Sequence, residues 1–264
     1  VAPIWKPVLE EYHMHLHFGY QTFKWQSEAA DKAAVHCVII GFGPTDVQPK
    51  LIFQEANQPV KAQQLNAYLL DAPNVLIETR KKPLCDVPEM ITGNRPADGG
   101  NLIIEQEDYN DFVKKDPLSK KYIRPFMGSR EFINRKPRHC LWLVHCPPGE
   151  LRKMPEVLKR VRACREDRLR AKDAGRRKLA DTPALMREQI EMGTEYIVIP
   201  RVSSERRRYV PIGYVKAEVI VSDAVLIIPG STLYHFGILT SNVHNAWMRA
   251  VAGRLKSDYR YSKD

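Results

Sequence analysis

Near the end of the chain, Lys256 and Asp258 stand two residues apart within Gly253-Arg254-Leu255-Lys256-Ser257-Asp258-Tyr259-Arg260-Tyr261-Ser262. Gly253 suits the close of a helix, because glycine adopts positive φ without steric cost. Beyond it the backbone is expected to run extended, and residues two apart in an extended segment face the same side. Lys256 and Asp258 would then project one donor beside one acceptor. Reading a guanine–cytosine pair in the major groove needs that combination: lysine donates to O6 and N7 of guanine, and aspartate accepts from N4 of cytosine. A solvated charge pair on a surface turn has the same spacing. Arg254 and Arg260 flank the pair and join it as candidate DNA-binding residues.

A second concentration of such groups is Ser203-Ser204-Glu205-Arg206-Arg207-Arg208-Tyr209. Hydroxyls and guanidinium groups on a loop suit phosphate and base-edge contacts. Arginine is the commonest reader of guanine, since its fork matches O6 and N7. The alternative is a basic surface turn in which Glu205 neutralises one arginine. Arg124, Arg130 and Arg138 are further basic positions. His244, Trp247 and Arg249 share one helical segment, with His244 and Arg249 placed toward a duplex and Trp247 in the core. The run from Arg160 to Arg177 also carries Glu166, Asp167 and Asp173. It reads mainly as a solvated helix face that meets phosphates at most.

Metal chemistry finds little support. The five cysteines, Cys37, Cys85, Cys140, Cys146 and Cys164, are odd in number and lack metal-ligand spacing. A reduced, cytoplasmic chain fits them. His139-Cys140 and His145-Cys146 invite a zinc reading, but Leu141 to Val144 between them reads as a strand. Five strand steps would hold the ends roughly 17 Å apart. His13, His15 and His17 alternate with Met14, Leu16 and Phe18, as one polar face of a strand does.

Lys plus Arg number 41 against 31 Asp plus Glu, giving a formal net charge of +10 and a pI of about 9.4. An acidic partner follows, and duplex DNA is the commonest one, although RNA or an acidic protein satisfies the same balance. At 264 residues and 44% hydrophobic content the chain can bury one large core or two ordinary ones. No run of 18 apolar residues is present, so no membrane span or membrane partner is expected. No basic region precedes an apolar stretch at the start, so no signal peptide is expected.

The elements that must position these groups are mixed. Trp5 to Glu11 reads as helix. His13 to Tyr20 and Ala34 to Phe42 read as strands, the second nearly all apolar, as in a sheet covered on both faces. Thr22 to Lys32 reads as the loop between them. A short strand at Leu51 to Gln54 and a helix near Val60 to Ala67 follow. Asp108 to Lys115 and Pro155 to Lys172 read as helices. Tyr196 to Ile199, Tyr209 to Tyr214, Ala217 to Val221, Ala224 to Ile228 and Tyr234 to Leu239 read as strands. Asn242 to Ala252 reads as the last helix.

Several ordered blocks resemble the target recognition domain of MmeI-like (type IIL) restriction–modification enzymes. They are Pro88 to Gly100, Tyr122 to Ile133, Arg138 to Leu143, Ile199 to Gly213, and Leu239 to Arg249 followed by Gly253 to Ser262. His17 to Trp25 and Ala33 to Phe42 resemble the tail of an adenine-N6 methyltransferase domain of the same family. The resemblance implies an α+β fold, the edge of a methyltransferase α/β sheet joined to a strand-rich recognition domain with inserted helices. The expected boundaries are 1–45 for the methyltransferase tail, 46–80 for a connector and 81–264 for the recognition domain. The chain begins with Val1 and reads as an excised fragment.

The resemblance also implies roles. Phe23, with Trp25 close behind, would stack on a flipped adenine, since an enzyme that modifies a base must take it out of the stack. Lys256 and Asp258 would read one base pair near that adenine. The parent would be an S-adenosylmethionine-dependent adenine-N6 methyltransferase; in the intact family such enzymes also cut DNA at a distance, and whether this parent cuts stays open here. The fragment carries none of the catalytic parts. Its Pro147-Pro148 lies between Cys146 and Gly149, unlike the Asn/Asp-Pro-Pro-Tyr/Phe motif. Gly41-Phe42-Gly43 runs into Pro44 with no following helix. No cofactor is therefore expected on the fragment, and double-stranded DNA is its expected partner. Two other classes remain open here: a stand-alone nucleic-acid-binding module, and a protein–protein module whose basic face serves solubility.

Overall fold

The computed structural model describes residues 1–25, 35–54, 58–80, 82–136 and 138–263, with the side chains of Lys24, Trp25 and Val35 outside that description. The chain forms two compact units: Val1–Cys85 together with Ala246–Ser262, and Asp86–Asn245. The architecture is α+β, with several small sheets among the described residues.

The first unit opens with helix α1 (Ala2–Lys6), continued by a π-type turn over Pro7–Glu11. Strands β1 (His15–Trp25), β2 (Val35–Gly43), β3 (Lys50–Phe53) and β4 (Val60–Ala62) form a sheet in the order β2-β1-β3-β4. β1 pairs antiparallel with β2 and parallel with β3. Its core gathers Leu16, Ile52, Ala62, Leu65 and Leu69, with Trp5 and Leu9 packed against them. Two expectations change here. Thr22 to Trp25 is not loop: the strand runs on through a register shift between Tyr20 and Phe23 and ends paired, Phe23 with Cys37 and Trp25 with Val35. The irregularity absorbs Gln21 and Thr22, so the ladder continues past the break in alternation. The rest of the expected loop lies outside the described residues. The expected helix at 60–67 is strand β4 followed by turns, because Val60 to Ala62 completes the sheet edge against β3. The nearly apolar β2 is not covered on both faces within this chain: its neighbours Val38 and Ile39 are 49% and 48% exposed. His13 lies outside the strand, with φ of 51°.

The second unit holds β5 (Ile91–Thr92), β6 (Ile103–Ile104), α2 (Tyr109–Lys115), β7 (Ile123–Met127), α3 (Ser129–Asn134), β8 (Arg138–Leu141), α4 (Pro148–Leu151), α5 (Pro155–Leu169) and α6 (Ala174–Lys178). Then come β9 (Tyr196–Pro200), β10 (Val202–Ser203), β11 (Gly213–Val215), β12 (Ile220–Val221), β13 (Val225–Ile228) and helix α7 (Leu233–Leu239). Two sheets result, β11-β9-β13-β5 and β12-β7-β8-β6. The larger core packs Leu102, Ile104, Phe126, Leu141 and Trp142 against Met154, Val157 and Val161 of the α5 region.

Asn94 and Gly93 join β5 to the strand region around Ser222. Asn94 is 1% exposed. Its amide donates to the carbonyls of Ile190 and Val221, and its Oδ1 accepts from the Ile190 N–H at 2.7 Å. A Cβ on Gly93 would lie 2.3 Å from the Ser222 carbonyl oxygen, so only glycine permits this approach.

Tyr234 to Leu239 is helix α7 and not a strand. Thr232 and His235 form a capping box in which the Thr232 N–H donates to His235 Nδ1 at 3.0 Å. That local bonding decides between helix and strand for a short apolar run whose periodicity fits both. The strand expected at Tyr209 to Tyr214 shrinks to Gly213–Val215, since Pro211 has no N–H to give a ladder. β8 ends at Leu141, so the expected strand through Val144 does not form. The chain finishes with helix α8 (Asn242–Val251), then β14 (Gly253–Leu255) and β15 (Asp258–Arg260).

Candidate nucleic-acid interface

β14 and β15 make a hairpin with a two-residue loop, Lys256 and Ser257, closed by the pairs Gly253–Arg260, Arg254–Tyr259 and Leu255–Asp258. The expected extended run is thereby overturned. Gly253 does not close α8 with a positive φ; it opens β14. Lys256 instead adopts φ of 57°, in the left-handed region, at the hairpin tip. Lys256 and Asp258 stand on either side of Ser257 at a turn, and the two-apart rule for strands does not govern them. Lys256, Arg254 and Arg260 are exposed, while Asp258 is half-buried. The Arg254 guanidinium lies 3.8 Å from the Tyr259 ring centroid, and its Nη1 donates to the Ser257 carbonyl at 2.8 Å.

The arginine-rich loop between β10 and β11 is shaped from inside. Ser203 is buried, at 4% exposure, whereas Arg206, Arg207 and Arg208 are exposed. Ser204 turns the chain: its Oγ accepts from the Arg206 N–H, and its carbonyl accepts from the Arg207 N–H at 3.1 Å. The Arg208 guanidinium lies 5.4 Å from the Tyr209 ring centroid. Helix α8 holds the end of the loop. Tyr209 Oη donates to Asn242 Oδ1 at 2.6 Å, and the Val210 N–H donates to Asn245 Oδ1 at 2.9 Å. Asn245 is itself buried and donates to the Ser241 carbonyl. Sequence reasoning missed Tyr209, Asn242 and Asn245 as the loop's anchors. The signal was two asparagines three apart, which share one face of a helix.

On the same helix His244 is half-buried, and burial pushes its pKa below the ordinary histidine value. The imidazole is thus biased toward its neutral form. Arg249 is exposed. Trp247 is not in the core: it is 52% exposed, and its neighbour Met248 occupies the inward position. Asn245 and Met248 are three apart and define the buried stripe, which rotates Trp247 outward.

The other basic positions divide by their partners. Arg124 Nη1 donates to the Lys121 carbonyl, and Arg138 pairs with Glu131 at 3.0 Å while lying over the Phe126 ring. Arg130 is exposed. Arg168, expected on a solvated helix face, is fully buried. Its five N–H groups donate to the carbonyls of Ala97, Leu179, Thr182, Pro96 and Leu185 at 2.7–3.1 Å. It ties α5 to the loops on either side and leaves no donor for a ligand.

Phe23 is half-buried on β1, its ring edge-on to Tyr20 at 5.0 Å, and Tyr20 stacks in turn on Phe53. Trp25 ends the same strand, with its side chain outside the description. Among the described residues no group of three or more His, Cys, Asp or Glu is placed to hold a metal ion. No described helix is long and apolar enough to cross a membrane.

Residues 71–264 match the family described as MmeI, target recognition domain, and residues 1–54 match MmeI, DNA-methyltransferase domain. The chain belongs to the MmeI family. It is similar to DNA methyltransferase A of Bacillus subtilis (strain 168), with 38% identity covering 99% of this chain and 30% of that protein. It is also similar to a solved type IIL restriction–modification enzyme, MmeI in complex with DNA. There the TM-score is 0.91 and the identity 41%, over 99% of this chain and 35% of that one. The chain thus spans about a third of the length of these relatives. In the MmeI frame Phe23 falls in the methyltransferase match. The arginine loop, α8 and the hairpin fall in the target recognition match.

Proposed function

We propose that this chain is the sequence-reading part of a site-specific DNA methyltransferase of the MmeI type. In this reading it contacts double-stranded DNA in the cytoplasm of a bacterium or archaeon. The parent protein transfers a methyl group from S-adenosylmethionine to N6 of an adenine. The observation that carries the reading is the joining, in one chain, of a target recognition match over 71–264 to a methyltransferase match over 1–54. Likeness to an MmeI structure in complex with DNA supports the choice of partner.

In this reading the side chains divide the work. Exposed Arg206, Arg207 and Arg208 supply guanidinium forks for phosphates and guanine edges. Ser204 shapes their loop, while Ser203 is buried. Lys256 and Asp258 read one base pair from the hairpin, and Arg260, His244 and Arg249 add DNA contacts of their own. Phe23, with Trp25, receives the flipped adenine. Gly41 and Gly43 end β2 and lead through Pro44 into bends, with no helix N-terminus to follow, so this glycine pair forms no cofactor cradle. No step of methyl transfer is assigned to this chain.

A titration of duplex binding across a salt series tests the reading. Six to ten phosphate contacts give a log–log slope of about −5 to −9. A flat response removes DNA as the partner.

A further inference from the structure

We infer that Arg254 and Tyr259 are positioning residues that preset the base-pair preference of the hairpin by clamping its loop. The inference rests on the reading of Lys256 and Asp258 as base readers. It departs from the expectation that Arg254 touches DNA itself.

Four observations meet in eight residues. Arg254 and Tyr259 are direct cross-strand partners. The guanidinium lies 3.8 Å from the ring centroid, well inside the range of cation–π attraction. The same guanidinium reaches over the tip and donates to the carbonyl of Ser257, the residue between Lys256 and Asp258, at 2.8 Å. Lys256 holds φ of 57°, a conformation that a non-glycine residue keeps only when its surroundings impose it.

The ladder ends at the Leu255–Asp258 pair, so strand pairing alone does not fix the turn that Lys256 and Ser257 adopt, and each turn aims Lys256 differently. Arg254 restricts that freedom from two sides, through the opposite strand and through the loop carbonyl. Planarity is essential to the arrangement. A guanidinium can stack on a ring and still present an edge N–H to a carbonyl, whereas an ammonium offers only a point charge.

That difference supplies the test. In the full-length protein, Arg254→Lys keeps the positive charge and loses the stack. Tyr259→Phe keeps the ring, and Tyr259→Leu removes it. Arg254 is exposed, so its exchange leaves the folded core intact. Bound duplexes are selected from a randomised library and sequenced, and a mixed-sequence duplex is titrated against salt. Lys256→Ala identifies the base pair that the hairpin reads. At that pair, Arg254→Lys and Tyr259→Leu should each relax the preference by on the order of tenfold. Tyr259→Phe should retain it, and the salt slope should not change in any of the three.

If Arg254→Lys retains the preference while Arg254→Ala lowers the salt slope by about one, Arg254 is a phosphate contact and the clamp is refuted. Retention of the preference in Tyr259→Leu refutes it equally. If Lys256→Ala relaxes no position, the reading of the hairpin fails and the clamp falls with it. That pattern is distinct from failure of the clamp alone.

Discussion

The Lys256 and Asp258 side chains carry the sharpest expectation of base reading. Exchanging their charges, Lys256→Glu with Asp258→Arg, keeps a donor beside an acceptor but mirrors them. In the full-length protein the preferred pair at that position should invert from one orientation to the other, each wrong pair costing about 1–3 kcal/mol. Sequencing the methylated products of a randomised library is the measurement. Identical products from parent and double variant would leave the two residues as a surface charge pair. Arg168 illustrates the opposite fate of a basic residue. Arg168→Met preserves bulk and strips donors from five backbone carbonyls. Stability in urea should fall by at least about 3 kcal/mol. A loss below about 1 kcal/mol would mean that water replaces the guanidinium. Nothing in the run Arg160 to Arg177 marks Arg168 apart by type. What separates it is the backbone carbonyls that surround it, which come from segments distant in sequence and are invisible to periodicity.

Helices with periodic patterns were legible: Pro155–Leu169, Tyr109–Lys115 and Asn242–Val251 lie within three residues of their expected bounds. Short apolar runs were not. Leu233–Leu239 alternates well enough for a strand, and its capping box makes it a helix. The candidate site shows the same division. Its residue types could be picked out from the sequence, because hydroxyls and guanidinium groups declare their chemistry. Their orientation could not, because it depends on one backbone angle at Lys256 and on anchors supplied by α8. Those anchors yield a prediction. Asn245→Leu keeps volume near a buried site and removes the acceptor for the Val210 N–H. The loop should be destabilised by about 1–3 kcal/mol, and hydrogen exchange at the Val210 amide should accelerate. Unchanged exchange would mean that the loop holds its shape without α8.

Over the whole molecule, the family resemblance read from ordered blocks and the family matches over 1–54 and 71–264 agree. The spatial division follows a different line, because Ala246–Ser262 packs with Val1–Cys85. Composition supplied only the basic balance. It did not foresee that a segment near the C-terminus joins the first unit, since such contacts are set by tertiary packing and leave no compositional trace. The Gly41–Gly43 segment, which leads into bends instead of a helix, predicts that calorimetry of the 264-residue chain with S-adenosylmethionine will register no binding. A saturable heat at defined stoichiometry would place part of the pocket here. The two-residue loop at 256–257 has a consequence for inheritance. Strand faces alternate one by one, so an inserted or deleted residue in 253–260 would turn one strand's side chains over. New preferences at this hairpin can then arise by exchange of letters alone. Lineages that diverge in target sequence should keep the spelling length of the segment constant, and a comparison of their gene lengths across it would reveal whether they do.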